Sequence, residues 1–283
     1  MAADAGFDGI AIGADCGRGD VAPLCAASLA VGLAVPVMSG ALPDGSLGPG
    51  RRLPYLASLE DSDERRAAVA LFESALDLAA PFGVRTLTVH LGELSLAADS
   101  TEVAYRFARR QIEEDEPGAR VWAAAVGERR ALSPLVLDAC RYALDRIVPR
   151  AERRDVTLAL EVARGPWSSP SPREALCLLD EYRDGPVGLV WDEARMQMLA
   201  TLGLAPPHDR RAALAAGAVV WRANDAVGIE IGYLPGLGDP PAPNHGEPEP
   251  ARADGVPVVV TGRPESTAAE VAAARARVAS RVP

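Results

Sequence analysis

At 283 residues the chain is long enough to bury a full core, either as one large α/β barrel or as two ordinary domains. Its 39 Asp and Glu against 29 Lys and Arg give a formal charge of −10, which on average repels a nucleic-acid backbone and argues against DNA or RNA as a partner. Hydrophobic residues make up 48% of the chain, yet no apolar run reaches the roughly 18–20 residues that span a bilayer, so no membrane embedding is expected.

The stretch Met1 to Gly6 has no basic segment leading into an apolar one, and the cytoplasm is the expected compartment. Cys16, Cys25, Cys140 and Cys177 are widely spaced, with no C-x-x-C pair and no neighbouring histidine. That spacing predicts reduced thiols, with neither a disulfide nor a structural zinc.

Short apolar strands alternate with longer helical stretches, the order of a parallel sheet with helices outside it. Gly9 to Gly13 is the first predicted strand, followed by an Ala/Leu-rich helix near Val21 to Val31 and a second strand, Leu33 to Met38. A Gly- and Pro-rich loop runs from about Ser39 to Tyr55. A helix then begins near Glu60, with Val69, Phe72, Leu76 and Ala80 at helical spacing. Arg85 to His90 alternates as a strand, and a helical insertion is expected over about 95–131.

Ser133-Pro134 predicts the next helix start, since serine caps free amides and proline at the first turn loses no hydrogen bond; the helix runs to about Arg154. Val156 to Val162 reads as a buried strand, and Ser171-Pro172-Arg173-Glu174 as a capping box opening a helix that ends near Tyr182. Val187 to Asp192 and Ala218 to Asp225 are two further strands, with short helices around 193–202 and 209–216. A long polar loop over about 226–255 precedes a strand, Val256 to Thr261, and a closing helix, Pro264 to Val282.

This order predicts a single α/β domain over 1–283 with the layout of a TIM (β/α)8-type barrel. Seven strands are read where a closed barrel has eight, and Ala2 to Gly6 looks like the tail of a helix. The expectation is a barrel lacking its first strand: either the true start lies upstream, or the wall has a gap between its first and last strands that would expose strand edges.

Several fragments fall at successive strand ends: Gly6-Phe7-Asp8-Gly9-Ile10, Val89-His90-Leu91-Gly92, Leu158-Ala159-Leu160-Glu161, Trp191-Asp192, Asn224-Asp225 and Pro235-Gly236-Leu237-Gly238-Asp239. In that order the chain resembles the xylose isomerase-like barrels, the superfamily of sugar epimerases, sugar-phosphate isomerases and the AP endonuclease family 2, over nearly its whole length. The resemblance implies a divalent metal (Mn, Mg, Co or Zn) held by a glutamate, an aspartate, a histidine and a final glutamate at strand ends. Glu161 and Asp192 match the first two ligands, but the histidine position falls on Arg222 and the last glutamate position on Thr261. The histidine that contacts substrate three residues after the aspartate is replaced by Arg195.

A guanidinium stays protonated and puts positive charge where a divalent cation would sit, so the expectation is that no metal is bound and that arginines replace it. Glu161 with Arg222, or Asp192 with Arg195, is then expected to form an ion pair at the barrel mouth. If a metal is bound after all, Glu161 and Asp192 are its ligands. Glu161 is the candidate catalytic proton carrier; His90, Arg195, Arg222 and Asp225 are candidate substrate contacts. Glu230 and Glu265 are weaker substitutes for a second base, and His208 and His245 read as solvated loop residues. Trp167, Trp191 and Trp221 either line an apolar pocket or pack outward beneath helices. By strand alternation Trp191 and Asp192 cannot share a face.

The chain carries no G-x-S-x-G elbow, P-loop, H-E-x-x-H or strand-following G-x-G-x-x-G. The implied activity is isomerisation or epimerisation of a small sugar or polyol derivative by proton transfer at the barrel mouth, with Arg195 or Arg222 expected to hold an anionic group of the substrate. The alternative is a non-catalytic barrel that binds a ligand or a protein and has lost the metal site.

Overall fold

The computed structural model describes residues 3, 6–44, 52–59, 61–97, 117–227, 230–233, 250–260 and 267–280, with only the backbone at 225–227 and 230–233. Ala2 to Gly6 as a helix tail, Thr261, His245, Glu265 and most of the 226–255 loop lie outside these residues or at their margins.

In chain order the elements are β1 (Gly9–Ile12), α1 (Arg18–Ala30), β2 (Ala34–Ser39), α2 (Ser62–Ala79), a 3-10 turn (Ala80–Phe82), β3 (Thr86–Val89), β4 (Gly92–Glu93) and α3 (Pro117–Arg154). They continue with β5 (Thr157–Glu161), β6 (Ser168–Ser169), α4 (Pro172–Glu181), β7 (Val187–Asp192), α5 (Glu193–Thr201), α6 (His208–Ala216), β8 (Ala218–Ala223), β9 (Asp225–Val227), β10 (Glu230–Tyr233), β11 (Val258–Val260) and α7 (Ala268–Ser280).

Seven of the strands form one parallel sheet in the order β1-β2-β3-β5-β7-β8-β11, curled into a nearly closed barrel with the helices outside. Among the described residues β1 and β11 do not pair with each other, so the wall stays open along that seam. β4 pairs with β6 and β9 with β10 as short antiparallel ribbons.

Two expectations need correction. The helix expected to start at Ser133-Pro134 is the middle of α3, which runs 38 residues, about 57 Å at about 1.5 Å per residue. Pro134 lacks the amide for one helical bond, a cost of about 3 kcal/mol in an isolated helix. The apolar stripe Val136, Ala139, Cys140, Ala143, Leu144 and Ile147, buried against the core, offsets it. The Ser133 hydroxyl caps nothing: it donates to Glu174 Oε1 at 2.6 Å. The second correction falls on the loop over 226–255, whose start is the β9–β10 ribbon.

The capping box at Ser171 is present in both directions. The serine accepts from the Glu174 amide at 3.4 Å, and Glu174 accepts from the Ser171 amide at 2.8 Å. Glu174 is also gripped by Arg129 of α3 through two bonds of 2.8 and 2.5 Å, so one buried carboxylate ties α4 to α3.

The core divides by strand alternation. Residues under the helices, including Phe72, Leu87, Leu144, Leu158, Leu160 and Trp191, form the large outer cluster. Val37, Ala159, Val190 and Val220 form a smaller cluster inside the barrel. All four cysteines are free, and no described helix is long and apolar enough to cross a membrane.

Candidate functional site

The register decides what stands at the barrel mouth. Glu161 pairs across β5–β7 with Val190, and Asp192 across β7–β8 with Arg222. In a parallel sheet, aligned residues share a face and residues two apart return to it. Ala159 and Glu161, Val190 and Asp192, and Val220 and Arg222 therefore rise on the interior face, and the charged groups cap the inner valine cluster.

Asp192 ends β7 and is the N-cap of α5. Its Oδ1 accepts from the Arg195 amide at 3.0 Å, which places the Arg195 side chain above its own capping residue. From there Arg195 Nη2 donates to Glu161 Oε2 at 2.6 Å and Nη1 to the Val162 carbonyl at 2.7 Å. Arg222 donates from Nη2 to Glu161 Oε1 at 3.0 Å and from Nη1 to Asp192 Oδ2 at 3.1 Å. Buried Asn224, just past β8, accepts from the Ala194 amide at 3.2 Å and fixes the start of α5 to the end of β8.

The result is a charge-balanced quartet in which each carboxylate is held by both guanidiniums. Asp192 is 2% exposed in its side chain, Glu161 12% and Arg222 19%. Burial alone would raise the Glu161 carboxyl, but Arg195 and then Arg222 hold it far below the usual carboxylate range. Burial likewise disfavours the charged Arg222, and Glu161 and Asp192 more than restore it.

His90 stands on the same interior face two residues beyond Thr88, its Nδ1 4.0 Å from Glu161 Oε2. Burial pushes its pKa below the ordinary value of 6.5, opposed by Glu161, so the imidazole is neutral at pH 7. The Tyr55 ring meets it edge-on at 5.9 Å. Asp225 opens β9, and its side chain lies outside the described residues. Glu230 lies in β10, and His208 opens α6 at the exposed surface.

Trp191 and Trp221 stack with ring centroids 5.3 Å apart in the outer core, away from the quartet, and Trp167 packs beside Trp122 and Met198. Sequence reasoning missed the contacts around His90. Tyr55 donates to Glu93 Oε2 at 3.0 Å, and Arg164 donates to Glu93 Oε1 at 2.9 Å. The available signal was the glycine at position 92, two residues after His90, whose φ is 152° in the structure. A Cβ there would stand 2.9 Å from Tyr55 Cβ, so only glycine lets the two segments meet.

A strand-end site on a seven-stranded parallel barrel decides the architecture, and solved structures agree. The chain has the xylose isomerase-like fold. A xylose isomerase domain protein from Planctomyces limnophilus superposes with a TM-score of 0.54 at 16% identity, covering 99% of this chain and 89% of that one. The 3-keto-D-glucoside 4-epimerase of E. coli gives 0.54 at 16% over 98% and 91%. A D-allulose 3-epimerase from Methylomonas sp., in complex with D-allulose, gives 0.54 at 15% over 97% and 80%. No family model and no curated protein matches the sequence. At 16% identity the likeness to these xylose isomerase-like barrels is one of fold.

The residues present do not fit a divalent metal. The two carboxylates matching metal ligands already accept from guanidinium donors, and one of those donors, Arg222, stands at the position where the resemblance implies a histidine ligand. Among the described residues no three His, Cys, Asp or Glu side chains converge as a metal site.

Proposed function

We propose that this chain is an isomerase/epimerase-type barrel that binds a small sugar or polyol derivative at its strand-end mouth and uses an ion-pair quartet there in place of a divalent cation. The single observation carrying this reading is that Arg222 bridges Glu161 and Asp192 at 3.0 and 3.1 Å while Arg195 closes the other side of Glu161 at 2.6 Å. The charges cancel within the protein, so the mouth suits a neutral ligand. An anionic one would have to compete with Glu161 and Asp192 for the same donors.

Glu161 is a poor proton carrier in this setting. A general base works best with a pKa near the operating pH, and both oxygens of this carboxylate are hydrogen-bonded and its pKa is strongly depressed. His90 favours a catalytic form of the same reading, since it is neutral near pH 7, 38% exposed in its side chain and next to Glu161. As the proton carrier it would abstract from and return to a carbon beside a sugar carbonyl.

Metal analysis of the purified protein, with thermal unfolding in Mn²⁺ and in chelator, tests the quartet. Far less than one metal ion per chain and an unchanged Tm are expected; stoichiometric Mn, Mg, Co or Zn would refute it. A panel of neutral sugars and polyols is expected to raise Tm in proportion to the logarithm of their concentration. Solvent-deuterium incorporation into a bound ketose, lost in His90→Ala, separates the catalytic form from simple binding.

A further inference from the structure

We infer that the cleft between the β2–α2 connection and β4, beside the quartet, binds the ring of a neutral, single-ring polyhydroxy compound. This rests on the proposed sugar or polyol reading and assigns it a place and a chemical class. The cleft measures about 230 Å³, and its polar lining comprises Arg52, Tyr55, Ser58, Glu64, Glu93 and Ser95. That is smaller than the roughly 300–1,000 Å³ of pockets for drug-sized ligands, which restricts the occupant to one ring.

The lining carries two carboxylates and one guanidinium. Arg52 is paired with Glu64, and Glu93 is held by Arg164 from outside the lining. Both carboxylates are thus already paired, so a phosphate or carboxylate group would have to compete with them for Arg52 and Arg164, whereas hydroxyl groups find acceptors on Glu64 and Glu93. Tyr55 donates its proton to Glu93 and so keeps its phenol oxygen free to accept from a ligand hydroxyl. Arg52 lies over the Tyr55 ring at 4.0 Å, which fixes the ring as a wall. Leu59, Leu94 and Leu132 supply the apolar surface against which the C–H face of a sugar packs.

Tyr55 also links the cleft to the mouth, since the same ring meets His90. His90 is not part of the cleft lining, so the Tyr55 ring stands between an occupant of the cleft and the imidazole. The Tyr55 amide donates to Glu64 Oε1 at 3.1 Å, and the Ala57 amide to the Leu91 carbonyl at 2.8 Å, so the tyrosine is held from both neighbouring segments before any ligand arrives.

Calorimetric titration of the full chain tests this, with D-fructose, D-allulose and a hexitol as neutral probes against fructose 6-phosphate and inorganic phosphate. Binding of at least one neutral probe is expected, weakened tenfold or more in Tyr55→Phe and abolished in Leu132→Trp, whose indole fills the cleft. If Leu132→Trp fails to fold, the near-isosteric Tyr55→Phe decides. Loss of binding in His90→Ala with unchanged affinity in Leu132→Trp and Tyr55→Phe would put the ring at the mouth and overturn the cleft while sparing the sugar reading. Tighter binding of the phosphorylated probe overturns the neutral class. No signal from any neutral probe overturns the sugar reading and the cleft together.

Discussion

Arg222 stands between two carboxylates at 3.0 and 3.1 Å, and its charge is what both of them require. Removing one carboxylate should therefore leave two guanidiniums sharing the other. Glu161→Gln is expected to destabilise the fold by about 3 kcal/mol, the lower part of the range for a broken buried pair because Glu161 keeps some solvent contact; urea unfolding measures it. The converse change should restore the metal site. The double variant Arg222→His, Thr261→Glu supplies both side chains that the resemblance implies, and it is expected to retain about one Mn²⁺ per chain after gel filtration where the parent retains none. Glu161, Asp192 and their arginines were legible in the sequence because a charged residue closing an apolar strand needs a partner, and the resemblance drew attention to Arg195 and Arg222 at positions where it implies histidines. Tyr55, Glu93 and Arg164 were not. They come from a Gly/Pro-rich connection, a two-residue strand and a post-strand turn, where no periodicity points a side chain anywhere.

Among the elements, α3 shows where pattern reading fails. Serine followed by proline is a good start signal, yet here the surrounding apolar stripe carries the helix through, and the serine is used by Glu174 of α4 instead. That shared carboxylate makes the α3–α4 contact sensitive to one substitution. Glu174→Ala removes the capping box and leaves Arg129 buried without its charge partner, so a loss of about 3–5 kcal/mol is expected. Arg129→Met leaves the Glu174 carboxylate buried with only the Ser133 hydroxyl and the Ser171 amide as donors, so a loss of the same order is expected in the same denaturation experiment. The seven barrel strands were legible because each is a short β-branched run bounded by turn residues, and their alternation with helices leaves few topologies. The β4–β6 and β9–β10 ribbons were too short to show a period.

For the molecule as a whole, the depressed carboxyls set the response to acid. Burial opposes ionisation of Glu161 and Glu174, but their arginines prevail, so both favour the charged form when folded. A carboxyl depressed in the folded state stabilises above its unfolded value of 4.5 and loses that contribution as pH falls below it. His90, also depressed, adds a shallower loss as pH falls below 6.5. The urea midpoint is expected to be flat above about pH 7, to decline gently below 6.5 and steeply below 4.5. Glu161→Gln should flatten part of the steep phase.

The seam between β1 and β11 adds a mechanical asymmetry. Among the described residues no ladder crosses it, but Arg275 of α7 reaches over, its guanidinium 6.0 Å from the centre of the Phe7 ring just before β1. Charges bolt β5, β7 and β8 together, whereas β1, β2 and β3 are joined by their ladders, and β3 meets the charged half through His90 beside Glu161. Tyr55 and His90 thus stand where the ladder-held half meets the bolted one, so a change in the quartet reaches the imidazole through Glu161.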